Sequence, residues 1–332
     1  MNPPAHPTFN SCNPQVAIYA TQSPKGISMK IIFAGSPAYA LPALKALHQK
    51  YGVAGVITQP DKPVGRKKVL TLTPVKQFAV EHGIPVLDCP KIRDHVEEVK
   101  SLGGDIMITC AYGQILSKQI LQSFPLGVWN LHASLLPKFR GASPIQSAIL
   151  AGESHTGVTV MRTEEALDSG DILLVKRCEV GDKTYGELSD ELSVLSAEAA
   201  LEAIEYIAAG HPQVLLQDEA QATYCKKIKK EDARVSFDDA AVAVRRINAM
   251  SPSPLAYCSL NGVQLNIYRA QLCDCPADGR PGEVVRADKK GIVVKCQNGA
   301  FSILQAQFAG GKPLSASDLV NGRKIKAGDI LD

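Results

Sequence analysis

The chain has 332 residues, 45% of them hydrophobic and 21% charged, with a formal net charge of +3. That is enough apolar material for two cores, and no apolar run approaches the ~20 residues that a membrane-spanning helix needs. So small a charge does not by itself argue for a polyanionic partner, but the basic excess is C-terminal: residues 211–332 hold 17 Lys and Arg against 13 Asp and Glu, and residues 1–210 hold 19 against 20.

Residues 1–28 are rich in Pro, Asn, Ser and Gln, show neither helical nor strand periodicity, and lack the basic start and apolar stretch of a secretory signal. They read as a disordered extension. Met29 opens an apolar strand at once and is a competing translation start, which would make the residues before it a mis-assigned beginning. Strands are then expected at 30–34, 53–58, 84–87 and 106–110, with helices at 38–50 and 74–82 between them. Continuous apolar strands alternating with helices predict an α/β, Rossmann-like domain: a parallel sheet covered on both faces, with active residues beyond the C-terminal strand ends. The turn after the first strand, Gly35-Ser36-Pro37, lacks the three-glycine fingerprint of dinucleotide sites. This counts against a nicotinamide-dependent oxidoreductase on the same architecture. Leu188, Leu192, Leu195 and Ala199 lie at helical spacing, so residues 184–209 should form a long helix that Gly210-His211-Pro212 stops. A polar connector through Lys226-Lys227-Ile228-Lys229-Lys230 leads to expected strands at 255–260, 263–269, 282–286, 291–296 and 301–308. Short strands at this spacing predict a small barrel or sandwich.

Nine cysteines are scattered along the chain, and only Cys273-Asp274-Cys275 is a close pair. Without a second pair or a histidine cluster no metal site is expected. An odd, scattered set is read as reduced thiols of a cytoplasmic protein.

The segment most charged with chemistry is an apolar run opening into a loop, Gly127-Val128-Trp129-Asn130-Leu131-His132-Ala133-Ser134-Leu135-Leu136-Pro137, with Asp168 in the turn Leu167-Asp168-Ser169-Gly170-Asp171 further on. Taken singly, Asn130 and His132 are as well explained by turn and capping roles, and Asp168 by an ordinary turn. Together, an amide, an imidazole and a carboxylate are the parts needed to move an acyl group: a donor for a developing oxyanion, a proton carrier, and a charge that holds the carrier in place.

Five blocks in order carry a resemblance. They are Lys30-Ile31-Ile32-Phe33-Ala34-Gly35-Ser36-Pro37, Thr58-Gln59-Pro60-Asp61-Lys62-Pro63-Val64-Gly65-Arg66, Ala111-Tyr112-Gly113, residues 130–145, and Gly157-Val158-Thr159-Val160-Met161. With them the chain resembles the folate-dependent formyltransferases from Met29 nearly to its end. The resemblance implies that Asn130, His132 and Asp168 are catalytic and that the folate lies against Ser134, Leu135, Leu136 and Pro137. It also implies an OB-like C-terminal barrel, a fold often used to hold nucleic acid. The expected organisation is a formyltransferase domain at 29–210, a basic linker at 211–233 and a tRNA-binding β-barrel at 234–332. Similarity to members acting on tRNA assigns the loop 61–70 to the acceptor arm, with Arg66 matching their key arginine. Lys67 and Lys68 stand beside it, and Lys226 and Lys227 add linker charge. A solvated basic loop is the commoner fate of such a charge run. The implied reaction takes formyl from 10-formyltetrahydrofolate to the α-amino group of methionyl-initiator-tRNA, for translation initiation, without metal or obligate protein partner. The alternative acceptor is a small amine such as an amino-sugar nucleotide, since enzymes of that kind can carry a similar C-terminal domain. Of the remaining rivals the nearest is a formyltetrahydrofolate hydrolase, which uses a similar triad on water, and a non-catalytic RNA-binding module is a different class that would not explain the Asn130, His132 and Asp168 set.

Overall fold

The computed structural model describes residues 29–64, 68–210, 212–274 and 278–332. The extension at 1–28, Arg66, Lys67 and Cys275 lie outside the described residues.

In chain order the first region comprises β1 (Ile31–Gly35), α1 (Leu41–Tyr51), β2 (Gly55–Thr58), β3 (Lys62–Val64), β4 (Val69–Thr71), α2 (Pro74–Glu81), β5 (Val86–Asp88), α3 (Val96–Ser101), β6 (Ile106–Cys110), α4 (Lys118–Leu121), β7 (Val128–His132), β8 (Arg140–Gly141), α5 (Pro144–Ala151), β9 (His155–Arg162), β10 (Ile172–Glu179) and α6 (Tyr185–Ala208). Seven strands form one sheet in the order β10-β9-β7-β6-β1-β2-β5. The five from β7 to β5 are parallel, as their unbroken apolar runs predict. The sheet departs from the expected all-parallel form at one edge, where β9 runs antiparallel to β7 and β10 antiparallel to β9. Each face has its own apolar layer. Ile31, Phe33, Ile106, Ile108, Trp129 and Leu131 pack with α1 and α6, and Ile32, Ala34, Ile57, Met107 and Val128 pack with Ile92, Val99 and Ile120.

α6 is the long helix expected, with Leu188, Leu192, Ala199, Ala203 and Ile207 buried along one stripe. It starts where it does because Thr184 and Glu187 form a capping box, the threonine hydroxyl accepting from the Glu187 N–H and the glutamate accepting from the Thr184 N–H. The charged stretch read as a loop after β2 is instead a β3–β4 hairpin. Its strands have three residues each and one is exposed throughout, so no alternation marks them.

The second region contains β11 (Tyr224–Cys225), α7 (Ala240–Ala249), β12 (Ala256–Leu260), β13 (Val263–Cys273), β14 (Val284–Asp288), β15 (Gly291–Lys295), β16 (Ala300–Phe308), β17 (Leu314–Ser315) and α8 (Ala316–Asn321). Antiparallel pairing runs β12-β13-β16-β15-β14, with β17 on β16. The C-terminal residues join the two edges: Leu331 bridges Leu260 at the end of β12, and Ile330 bridges Glu283 just before β14. The expected barrel is therefore closed by the chain terminus around Leu265, Ile267, Val284, Ile292, Phe301 and Ile303. β13 runs past the expected end because its register shifts between Ile267 and Arg269, where alternation of buried residues breaks and the sequence pattern is lost. Sequence periodicity did not reveal α7, although Asp239 accepts from Val242 N–H as its N-cap and Ala240, Ala243, Val244 and Ile247 form its buried stripe. α7 packs on α5 and so joins the two regions. Among the described residues no helix is long and apolar enough to cross a membrane, and no three His, Cys, Asp or Glu side chains form a group that could hold a metal ion.

Candidate active site

β6 and β7 pair so that Thr109 lies beside Asn130, while β7 pairs with β9 so that Asn130 and His132 lie opposite Met161 and Thr159. Alternation along β7 sends Trp129 and Leu131 into the apolar layer beneath α6 and puts Asn130 and His132 together on the other face. Thr109 Oγ donates to Asn130 Oδ1 at 2.9 Å. With the carbonyl end of the amide occupied, its two Nδ2 hydrogens have no acceptor among the described residues and are available to a substrate oxygen.

His132 is 5% exposed. Its Nε2–H donates to the Phe139 carbonyl at 2.9 Å, and its Nδ1 lies 3.8 Å from Asp168 Oδ2. Nε2 is thus committed as a donor, and Nδ1 faces the Asp168 carboxylate across a gap longer than a hydrogen bond. Asp168 Oδ2 accepts from the Gly141 N–H at 2.8 Å. Gly141 has φ +120°, and a Cβ there would lie 2.3 Å from the Cys225 carbonyl oxygen, so only glycine allows β8 to pair with β11 and offer this N–H. Ala111, Phe139 and Asp168 all adopt left-handed backbone conformations, with φ of +48°, +59° and +50°. Such strain persists where surrounding contacts over-determine it, and it clusters at functional sites.

The segment expected to hold folate is shaped largely from within. Ser134 is fully buried, its hydroxyl donates to the Lys138 carbonyl at 2.6 Å, and its own carbonyl accepts from Thr159 Oγ at 2.7 Å. Thr159 Oγ in turn accepts from the Leu136 N–H at 3.2 Å. Ser134 therefore sets the loop's shape, while Leu135 and Pro137 are half-exposed. Leu136 packs with Met161 and Ile172 as a small apolar cluster next to Asn130.

The β3–β4 hairpin rises from the same strand-end side. Asp61 at its base pairs with Lys76 Nζ at 2.9 Å, and Asp88 lies against the same ammonium; Asp88 first and Asp61 second raise the Lys76 pKa. Gln59 Nε2 donates to the Tyr112 carbonyl at 3.0 Å, tying the hairpin to the loop after β6. Lys68 is exposed in the turn. Lys226 and Lys227 are also exposed, and the Lys226 carbonyl accepts from Ser143 Oγ, which fixes the backbone while the charged ends reach solvent. Cys110, at the end of β6, is pushed up to about 12 by burial and is no nucleophile at neutral pH.

Sequence reasoning missed Thr109, Arg140 and the residues that hold Arg140. Arg140 is 1% exposed. Its guanidinium meets the Glu219 carboxylate through Nη1 at 3.0 Å and Nη2 at 2.7 Å, which holds that carboxyl below its usual range. Nη1 also donates to Tyr224 Oη at 3.2 Å. Arg140 lies inside the conspicuous block, but nothing in the pattern distinguishes it from an exposed loop arginine.

A sequence profile described as formyl transferase matches residues 29–204, and one described as formyl transferase C-terminal domain matches residues 227–324. The chain belongs to the formyl transferase family. Within that family it is 41% identical over 305 residues to the methionyl-tRNA formyltransferase of Coxiella burnetii, covering 90% of this chain and 97% of that one. Among solved structures, the N-formyltransferase from Helicobacter canadensis in complex with folinic acid and dTDP-3-aminofucose superposes with a TM-score of 0.65 at 17% identity, covering 83% of this chain and 98% of that one. HypX from Aquifex aeolicus in complex with tetrahydrofolic acid gives a TM-score of 0.61 at 18% identity, over 89% of this chain. The chain spans about half of the HypX length, 47%. At these identities the structural likenesses establish the formyl transferase fold.

Proposed function

We propose that this formyltransferase moves the formyl group of 10-formyltetrahydrofolate to the α-amino group of methionyl-initiator-tRNA, as the cytoplasmic step that readies the initiator for translation. The observation that carries the reading is the Thr109-oriented Asn130 amide beside His132 and Asp168, in a chain with 41% identity to a methionyl-tRNA formyltransferase over nearly its whole length. The folate co-substrate supplies a formyl carbon that is open to attack by an amine.

Asn130 Nδ2 is placed to donate to the formyl oxygen as negative charge builds there, and one preorganised donor of this kind is typically worth about 3–4 kcal/mol. With Nε2 committed to the Phe139 carbonyl, Nδ1 is the His132 nitrogen left for proton transfer, and it faces the gap toward Asp168. Asp168, on the far side of that gap, is suited to receive the proton that the attacking amine loses; as the amine–formyl bond forms and the formyl–N10 bond breaks, that proton passes on to N10 and tetrahydrofolate leaves carrying it. Leu136, Met161 and Ile172 supply an apolar wall that strengthens these interactions by excluding water. The folate assignment to Ser134, Leu135, Leu136 and Pro137 agrees with the shape of this loop: Ser134 and buried Leu136 hold it, and half-exposed Leu135 and Pro137 offer an apolar surface to a flat ring.

We assign residues 29–210 to catalysis, 211–233 to a basic linker and 234–332 to a tRNA-binding barrel. Arg66 and Lys67, which fall between β3 and β4 in the sequence, and Lys68, with Lys226 and Lys227, meet the acceptor arm in this reading. The test offers 10-formyltetrahydrofolate with methionyl-initiator-tRNA, a glycinamide ribonucleotide or an amino-sugar nucleotide. Transfer to the tRNA alone is expected. Efficient transfer to an amino-sugar nucleotide with none to the tRNA would overturn the assignment.

A further inference from the structure

Gln217 lies in the segment between α6 and β11, outside the catalytic and binding residues assigned above. Its side-chain amide uses its full capacity of two donors and two lone pairs. Nε2 donates to the Asp168 carbonyl at 2.9 Å and to the Gly170 carbonyl at 2.7 Å. Oε1 accepts from Arg140 Nε at 3.0 Å and from Arg140 Nη2 at 2.8 Å. The amide therefore clamps the two ends of the Asp168 turn and joins them to a buried guanidinium.

Both partners matter to the site. Asp168 holds its carboxylate toward His132 from a left-handed backbone conformation, φ +50°, which aspartate tolerates better than most residues and which surrounding contacts must still hold in one place. Arg140 stands between Phe139, whose carbonyl accepts from His132 Nε2, and Gly141, whose N–H donates to Asp168 Oδ2. The segment carrying Gln217 is itself stitched to the catalytic region. Leu215 and Ile172 exchange both backbone hydrogen bonds at 2.8 Å, the Arg140 N–H donates to the Thr223 carbonyl at 2.8 Å, and the Phe139 N–H donates to Thr223 Oγ at 2.8 Å.

We propose that Gln217 is a positioning residue for formyl transfer: bonded to Arg140 on one side and to the Asp168 turn on the other, it fixes the Asp168 carboxylate against His132. A hydrogen-bonded positioning group acts on turnover rather than on substrate affinity, because a small misplacement of a reacting group costs rate. This proposal rests on the formyl-transfer reading above.

The experiment measures kcat and KM for 10-formyltetrahydrofolate and methionyl-initiator-tRNA, with thermal unfolding, for the full chain and for Gln217→Ala and Gln217→Glu. Both changes are repeated in an Asp168→Ala background. Gln217→Glu keeps the shape and the Arg140 contact but loses both donors and turns a carboxylate oxygen toward two carbonyls, so it tests the clamp even if the alanine variant folds poorly. The expected result is a fall in kcat of about tenfold to a hundredfold for both variants, with each KM within about twofold. In the Asp168→Ala background the same changes should have almost no further effect, since residues acting through one another are non-additive. Wild-type kcat in Gln217→Glu overturns the proposal, as does a full-sized additional loss in the Asp168→Ala background. If the wild-type chain transfers no formyl to the tRNA, the functional reading fails; wild-type transfer with unaffected Gln217 variants defeats the positioning role alone.

Discussion

At the residue scale, the site depends on which end of an amide points where. Asn130→Ala and His132→Ala should each lower turnover at least about a hundredfold while leaving thermal unfolding near wild type, because both act on charge that develops only during transfer. Single-turnover formylation checks this, and near-normal rates in either variant would remove that residue from the mechanism. Thr109 makes a subtler case. Its hydroxyl is the donor that occupies Asn130 Oδ1, so the isosteric Thr109→Val leaves the amide free to turn its oxygen toward the substrate. We expect kcat to fall about tenfold, within the range of losing part of one oriented donor, with both KM values nearly unchanged and Thr109→Ser restoring the rate. A Thr109→Val enzyme with wild-type kcat would show that β7 packing alone orients the amide.

At the scale of elements, the hairpin and the head of α6 give separate tests. Asp61 and Asp88 on Lys76, together with Gln59 on the loop after β6, hold the hairpin's base firmly. Val69 and Leu70 remain exposed near its tip. Neutralising Arg66, Lys67 and Lys68 together should raise the KM for methionyl-initiator-tRNA and flatten its salt dependence, because fewer counterions are released on binding, while folate KM stays constant. An unchanged salt slope would detach the hairpin from the tRNA. In α6, the Thr184 backbone N–H first, and Arg269 as a further cause, hold the Glu187 carboxyl below its usual range. A folded value below the unfolded one means that the stabilisation is complete above the ordinary glutamate range, near pH ~4.3, and is lost as pH falls through the depressed value. Glu187→Gln should therefore destabilise the chain by under ~1 kcal/mol at pH 7, given how exposed the pair is. The difference from wild type should shrink in unfolding melts near pH 3. A difference that grew on acidification would contradict the capping role.

At the scale of the whole molecule, the two cores meet where α7 packs on α5. Leu150 on α5 packs against the buried clusters of both regions, the Gly186 N–H donates to the Ser251 carbonyl at 2.9 Å, and Arg269 of β13 pairs with Glu187 of α6. Inserting a charge at that junction, as in Leu150→Asp, should uncouple the cores, because an unpaired carboxylate resists burial against apolar side chains. Calorimetry is expected to show the variant unfolding in two resolved steps, with a higher KM for tRNA and little change in folate KM. A single cooperative transition would mean that the ion pair and backbone contacts couple the regions without Leu150.

Local pattern made much of this protein legible. β1, α1, β2, α2, β5, β6 and α6 in the first region and the short strands of the second follow from the periodicity of residues close in sequence, and Thr184 with Glu187 marks the head of α6 within four residues. The polar trio was picked out by family blocks, and β7 then placed Asn130 and His132 on one face through simple alternation. What tertiary structure decided lies across long separations. The sheet turns antiparallel at β9, where the chain pairs β9 with β7 and β10 with β9. The barrel closes when the last residues reach β12 and the start of β14. The assignment of His132 Nε2 to the Phe139 carbonyl, and of Gln217 to both Arg140 and Asp168, joins groups up to 77 positions apart. A connector glutamine carries no sequence pattern that names its partners, since hydrogen-bond geometry exists only after the chain has folded.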